Sequence, residues 1–359
     1  MAIKVEHKQF EIFCGTGGVG KTTLSTARAV QLARDNKKVL LITIDPSRRL
    51  KEIVGIDDFN AGTIHSINDV FASKPKSTDF SLDVVLMSPW ATISQMAKEI
   101  KRTDILENKI IKILFQPNGG MNEIMAVVEV YRQIRNKNYD SIILDTPPGN
   151  HFVDFLKNFH RVSKFFEQNF IEIFQYWGKK VEGVGESKPW KVFSMIISSG
   201  MKKLMSYLEK VTGTDFMEDF VDSLVALYKL KDQFLEALQL EHVLTNSAKS
   251  NWFLVASVEH DRLADALEMQ GKSSQFIHED NYLIINKSLQ KLVKKSADAE
   301  NSKEMDYYDK WADYIKYREK KLRREAMGNN VLAFTELLDS SPLCHVDQLA
   351  RQWHKATKR

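Results

Sequence analysis

Nine residues carry the clearest chemistry in this chain: Gly15-Thr16-Gly17-Gly18-Val19-Gly20-Lys21-Thr22-Thr23. The match to G-x-x-x-x-G-K-T runs from Gly15 to Thr22. Glycines at this density let successive backbone N–H groups turn inward toward phosphate oxygens. Lys21 would bridge terminal phosphates, and the Thr22 hydroxyl would serve a magnesium ion. Gly17, Gly18, Val19, Gly20, Lys21, Thr22 and Thr23 are therefore the expected nucleotide-binding residues. A glycine-rich turn with a chance Lys-Thr would show the same letters, but the flanks argue against it. The apolar run Phe10–Cys14 precedes the loop, and Leu24–Val30 has the pattern of a helix start. A helix N-terminus at that point adds partial positive charge.

Magnesium needs a carboxylate at a neighbouring strand end. Asp145 closes the apolar run Ile142-Ile143-Leu144 and is the expected second metal residue, acting through water. Thr146-Pro147-Pro148-Gly149-Asn150 after it suits a segment that senses the terminal phosphate. Asp45 closes Val39–Ile44 and is followed by Pro46-Ser47-Arg48-Arg49. A carboxylate there would orient the attacking water, and an arginine, Arg48 or Arg49, would offset charge on the transferred phosphoryl group. Taken alone, Asp45-Pro46 also reads as an ordinary turn. Asn286-Lys287-Ser288-Leu289 lacks the aspartate of the guanine-reading Asn-Lys-x-Asp pattern, so ATP is expected, with Asn286 near the adenine.

These residues need a scaffold of strands whose ends converge. Apolar runs recur at Phe10–Cys14, Val39–Ile44, Val84–Met87, Ile142–Leu144, Trp252–Ala256, Tyr282–Ile285 and Val331–Phe334, with helix-length spacers. Runs apolar on both faces predict parallel strands covered by helices, hence a doubly wound α/β fold. The rhythm breaks over 151–245, where apolar residues fall at helical spacing and strands are not indicated. Phe152, Phe155, Phe159, Phe165, Phe166, Phe170, Phe174, Phe193, Phe216, Phe220 and Phe234 lie there, eleven of the chain's twenty phenylalanines. The expected organisation is one discontinuous core, 1–150 with 246–359, and a helical insertion over 151–245. Phe and Met in the insertion suit either a packed core or an adaptable apolar groove.

Bulk properties bound the partners. The 359 residues are 43% hydrophobic and 27% charged, with net charge +4. That is a globular composition without a nucleic-acid footprint. Cys14 and Cys344 are too few for a disulfide framework or a cysteine zinc site, so no structural zinc is expected. Residues 1–9 lack a secretory apolar core, and no run is membrane-sized, so a cytoplasmic location is expected.

Taken together, the loop, Thr43-Ile44-Asp45-Pro46, Gly119-Gly120-Met121-Asn122-Glu123, Asp145-Thr146-Pro147-Pro148 and Asn286 resemble the arsenite-pump and tail-anchored-protein-targeting ATPases, members of the deviant P-loop class. The resemblance covers most of the chain. It implies an ATP hydrolase that uses Mg²⁺ and works as a homodimer, or as a heterodimer. Asp45 would place the attacking water, and the helical insertion would respond to nucleotide. The implied partner is a hydrophobic client or membrane protein. The alternatives are an arsenite or oxyanion pump driver, and a weakly catalytic nucleotide-binding partner subunit. Three positions depart from the family pattern. Thr16 replaces a lysine that reaches across the dimer. Ser47-Arg48 replaces Ala-His. Gly149-Asn150 replaces Thr-Gly. Slow turnover is expected from the first.

Overall fold

The computed structural model describes residues 5–44, 51, 61–71, 80–116, 121–149, 210, 212–257, 265, 268–269, 271–273, 276–289, 304–325, 330–337 and 341–358. All seven expected strands are present: β1 (Phe10–Gly15), β2 (Lys38–Thr43), β4 (Ser81–Leu86), β5 (Ser141–Asp145), β6 (Ser250–Ser257), β7 (Tyr282–Ser288) and β8 (Asn330–Thr335). An eighth, β3 (Ile64–Ser66), completes a sheet of order β3-β4-β2-β5-β1-β6-β7-β8. Among the described strands only β3 runs antiparallel to its neighbour, pairing with β4. It escapes sequence reading because it is three residues long, two of them polar, and Ile64 is exposed at the sheet edge.

The inner strands β1, β5 and β6 are buried along their whole length, as parallel strands covered on both faces require. Position in the sheet matters more than order along the chain. β5 lies between β1 and β2, so the ends of β1 and β5 are neighbours in space. Their register pairs Phe13 with Asp145. Ligands of doubly wound sheets bind outside the carboxyl ends of such strands.

Helix α1 (Lys21–Arg34) follows the loop and is buried on nearly every side. One reason is polar. Arg28 donates from Nε and Nη2 to Glu11 of β1, at 2.8 and 2.7 Å, with both side chains fully buried. Asn251 of β6 also donates to Glu11, at 3.2 Å, and Gln31 accepts from Arg28 at 2.6 Å. The second reason is the C-terminal helix Pro342–Lys358. Its buried Trp353 donates to the Leu24 carbonyl at 3.2 Å and lies 5.1 Å from the Arg28 guanidinium. The helix that presents Lys21 and Thr22 is thus clamped between strand, ion pair and indole.

The chain folds as two compact units. The first gathers the described residues of 1–87, 133–156 and 240–359, and the second those of 88–132 and 157–239. In the second, Ser88 caps the helix Pro89–Glu99 through Ala91 N–H, with Pro89 at the first helical position. Asn108 caps Lys109–Leu114 and donates to the Asp219 carbonyl at 2.8 Å. Arg132 and Gln233 both bond to Glu99, at 2.6 and 2.8 Å. Within the span read as an insertion, Thr214–Lys229, Lys231–Ala237 and Leu240–Leu244 are helical. The phenylalanines and methionines from 152 to 208 lie outside the described residues. Among the described residues, no helix is long and apolar enough to cross a membrane.

Candidate functional site

The loop leaves β1 through Gly15, where a side chain is excluded: a Cβ would sit 2.4 Å from the Val255 carbonyl oxygen of β6. Gly20 ends the loop with φ +89° and serves as the N-cap of α1, without any side-chain cap. Left-handed backbone of this kind favours glycine. The helix therefore begins with backbone N–H groups not spoken for by a capping side chain, the arrangement that binds phosphate.

Lys21 folds back over the loop and donates to the Thr16 carbonyl at 3.1 Å. Thr22 Oγ1 donates to Asp145 Oδ2 at 2.7 Å, across 123 residues of sequence. The structure thus brings together the two residues read as the metal pair. Sequence reasoning missed Thr43, whose hydroxyl donates to the same carboxylate oxygen at 3.2 Å. Its signal was available in hindsight: Thr43 sits at the end of β2, directly beside Asp145 in the register. The three side chains form an all-oxygen set, the donor type that suits Mg²⁺.

The segment after Asp145 is tied to the loop. Thr146 donates from N and Oγ1 to the Phe13 carbonyl, at 3.2 and 2.8 Å, and Gly149 N donates to the Gly15 carbonyl at 3.1 Å. Asn286, read as a residue near the adenine, closes the other side of the loop. Its Nδ2 donates to the Val19 carbonyl at 2.8 Å, and a Cβ on Gly20 would lie 2.4 Å from the same nitrogen. Asn286 therefore braces the loop from β7, a contact across 267 residues that sequence spacing could not reveal. Asp45, Arg48, Arg49 and Asn150 lie outside the described residues.

Cys14 immediately precedes the loop. It is buried and donates to the Phe253 carbonyl at 3.6 Å, and burial pushes its thiol up to about 12. It stays protonated near neutral pH, and a thiol buried in this way is unreactive. Cys344 is exposed.

Comparison with known proteins gives the family. The family model described as "Anion-transporting ATPase" matches residues 8–336. An "ATPase ASNA1 homolog" of Plasmodium chabaudi chabaudi is 34% identical over 150 residues, 40% of this chain and 36% of the relative. An "ATPase GET3" of Malassezia globosa is 25% identical over 290 residues, 75% of this chain and 80% of the relative. An "ATPase get3" of Schizosaccharomyces japonicus is 30% identical over 152 residues, 40% of this chain and 41% of the relative. The chain covers about a third of the length of the Plasmodium relatives it matches.

Proposed function

Because this chain belongs to the anion-transporting ATPase family, we propose that it binds Mg-ATP, hydrolyses it slowly, and uses nucleotide state to control a helical subdomain that handles a hydrophobic client or membrane protein. The observation that carries the nucleotide reading is the convergence of Lys21, Thr22 and Asp145 on a helix N-terminus without a side-chain cap. Thr22 and Asp145 would hold magnesium, with Thr43 orienting the carboxylate. The ion, when bound, neutralises phosphate charge. Lys21 and the loop N–H groups hold the phosphates, and Asn286 keeps the loop shaped for them. Asp45 positions the attacking water. Arg48 supplies part of the positive charge that Thr16 does not, so Arg48→Ala is expected to lower turnover at least tenfold while leaving ADP binding unchanged. Unchanged turnover would remove Arg48 from the proposal. A second copy of the chain is the proposed partner in assembly.

The client reading rests on the second unit. Phe216, on Thr214–Lys229, is 45% exposed, and Ile113, on Lys109–Leu114, is 62% exposed; these two helices pack against each other. Phe216 also stacks on Phe220, at 6.5 Å between centroids. By contrast Phe234 is buried, so part of the phenylalanine content of this region serves its core. Exposed large apolar residues on packed helices suit an apolar helix laid against them. The test is photo-crosslinking from position 216 to a 20-residue apolar helical peptide, with ATPγS and with ADP. Capture is expected to depend on nucleotide and to fall when Ile113 is changed to Asp. Capture indifferent to both would count against the client reading.

The oxyanion-pump alternative needs clustered soft thiolates. The buried, protonated Cys14 does not supply one, so arsenite is not expected to stimulate turnover. Measured turnover of the pure chain separates the ATPase from a weakly catalytic partner subunit.

A further inference from the structure

Beside the loop lies a cavity of about 280 Å³. Thr16 and Gly17 form one wall, and Pro148 and Gly149 another. The third wall is a helical face bearing Asp265, Glu268, Met269 and Lys272. Glu268 and Lys272 stand at i and i+4 and are paired with each other on this wall.

The charges in this cavity are unusual for the border of a phosphate site. Two carboxylates, Asp265 and Glu268, face it, and among the described lining residues Lys272 is the one cation. Thr16, a loop residue lining the same cavity, is uncharged. It is only 6% exposed, and its Oγ1 is buried without a hydrogen-bond partner among the described residues. Lys272 is engaged with Glu268, Nζ to Oε1 at 2.5 Å, and both side chains remain substantially exposed. The Lys272 hydrogen bond also holds the Glu268 carboxyl below its usual range. Exposed i, i+4 pairs of this kind are weakly held and exchange partners readily.

We infer that Lys272 is a specificity residue for triphosphate over diphosphate, leaving Glu268 to meet the terminal phosphate when a nucleotide occupies the loop. This rests on the nucleotide reading proposed above. The diphosphate leaves the Lys272–Glu268 pair closed, because its charge ends at the loop N–H groups and Lys21. The additional phosphoryl group brings negative charge toward a wall that already carries two carboxylates. It is accommodated only when the lysine turns from Glu268 to the phosphate. The pair is then a charge latch that reads whether the third phosphate is present.

The test is a double-mutant cycle read as the ratio of affinities for ATPγS and ADP, measured by competition against a fluorescent nucleotide. Lys272→Gln is expected to lower that ratio about fivefold, the effect of one unit charge at about 4 Å in a water-like dielectric, with ADP affinity unchanged. Lys272→Arg should retain most of the ratio, and Glu268→Gln should raise it. The deciding comparison is Lys272→Gln placed in the Glu268→Gln background. If Lys272 meets the phosphate, the ratio falls about fivefold there too. If Lys272 only neutralises Glu268, the double variant matches Glu268→Gln, and the inference is overturned. Failure of the wild-type chain to bind either nucleotide would overturn the nucleotide reading and this inference together. Intact, Lys21-dependent binding with a silent cycle overturns this inference alone.

Discussion

Replacing Lys21 with alanine is expected to reduce ATP turnover by about 10²–10³-fold, the loss typical of removing one preorganised charge-stabilising donor from an active site. The reason lies in how the ammonium is held. Lys21 is buried, in the first turn of α1, and hydrogen-bonded to the carbonyl of Thr16 within its own loop. A lysine so placed needs little reorganisation to meet a phosphate, because loop and helix already fix its base. Arginine should not substitute, since a planar fork does not replace a compact point charge in a tight loop. Single-turnover hydrolysis with saturating enzyme measures the effect on chemistry, and a fluorescent ATP analogue measures binding. Turnover of Lys21→Ala within threefold of wild type would mean that the loop is not the hydrolytic site.

The largest expected loss of stability comes from Glu11. Glu11→Ala should destabilise the first unit by about 3–5 kcal/mol, because it strands the Arg28 guanidinium in the interior with two of its three hydrogen bonds removed. The pair is fully buried, so solvent does not screen it. The cost belongs to the broken pair and not to the absence of charge. Glu11→Leu combined with Arg28→Met should therefore cost much less than the sum of the single changes. Urea unfolding followed by tryptophan fluorescence tests both, since Trp252 and Trp353 lie in this unit. Equal losses for the single and double variants would show that shape, and not ion pairing, dominates. The consequence for function is local. Arg28 ties α1 to β1 behind the loop, so the same substitution should also weaken nucleotide binding before the unit unfolds.

Several parts of this molecule were legible because their signals are local. Seven strands could be read from apolar runs, and the inner ones, buried on both faces, are apolar along most of their length. β3 could not, because an edge strand of three residues is specified by its partner β4 and not by its own pattern. The phosphate loop was legible for a similar reason: Gly15 and Gly20 shape the backbone, and Lys21 and Thr22 follow directly, all within eight successive residues. Asp145 needed one further inference, that two strand ends meet, and the hydrogen bond from Thr22 supplies that meeting.

The amino-acid sequence by itself determined the loop, its helix and the parallel strands, because steric limits on glycine and the burial of apolar runs operate over a few neighbouring residues. The tertiary structure decided what surrounds them. It set β5 beside β1, so that Asp145 reaches Thr22, and brought Asn286 onto the loop carbonyl of Val19. It buried Glu11 against Arg28 under Trp353, and aligned Lys272 with Thr16 on one cavity. Each of these contacts joins residues from separate elements. Their energies depend on the strand order and on exclusion of water, and neither quantity is a property of any short stretch of chain.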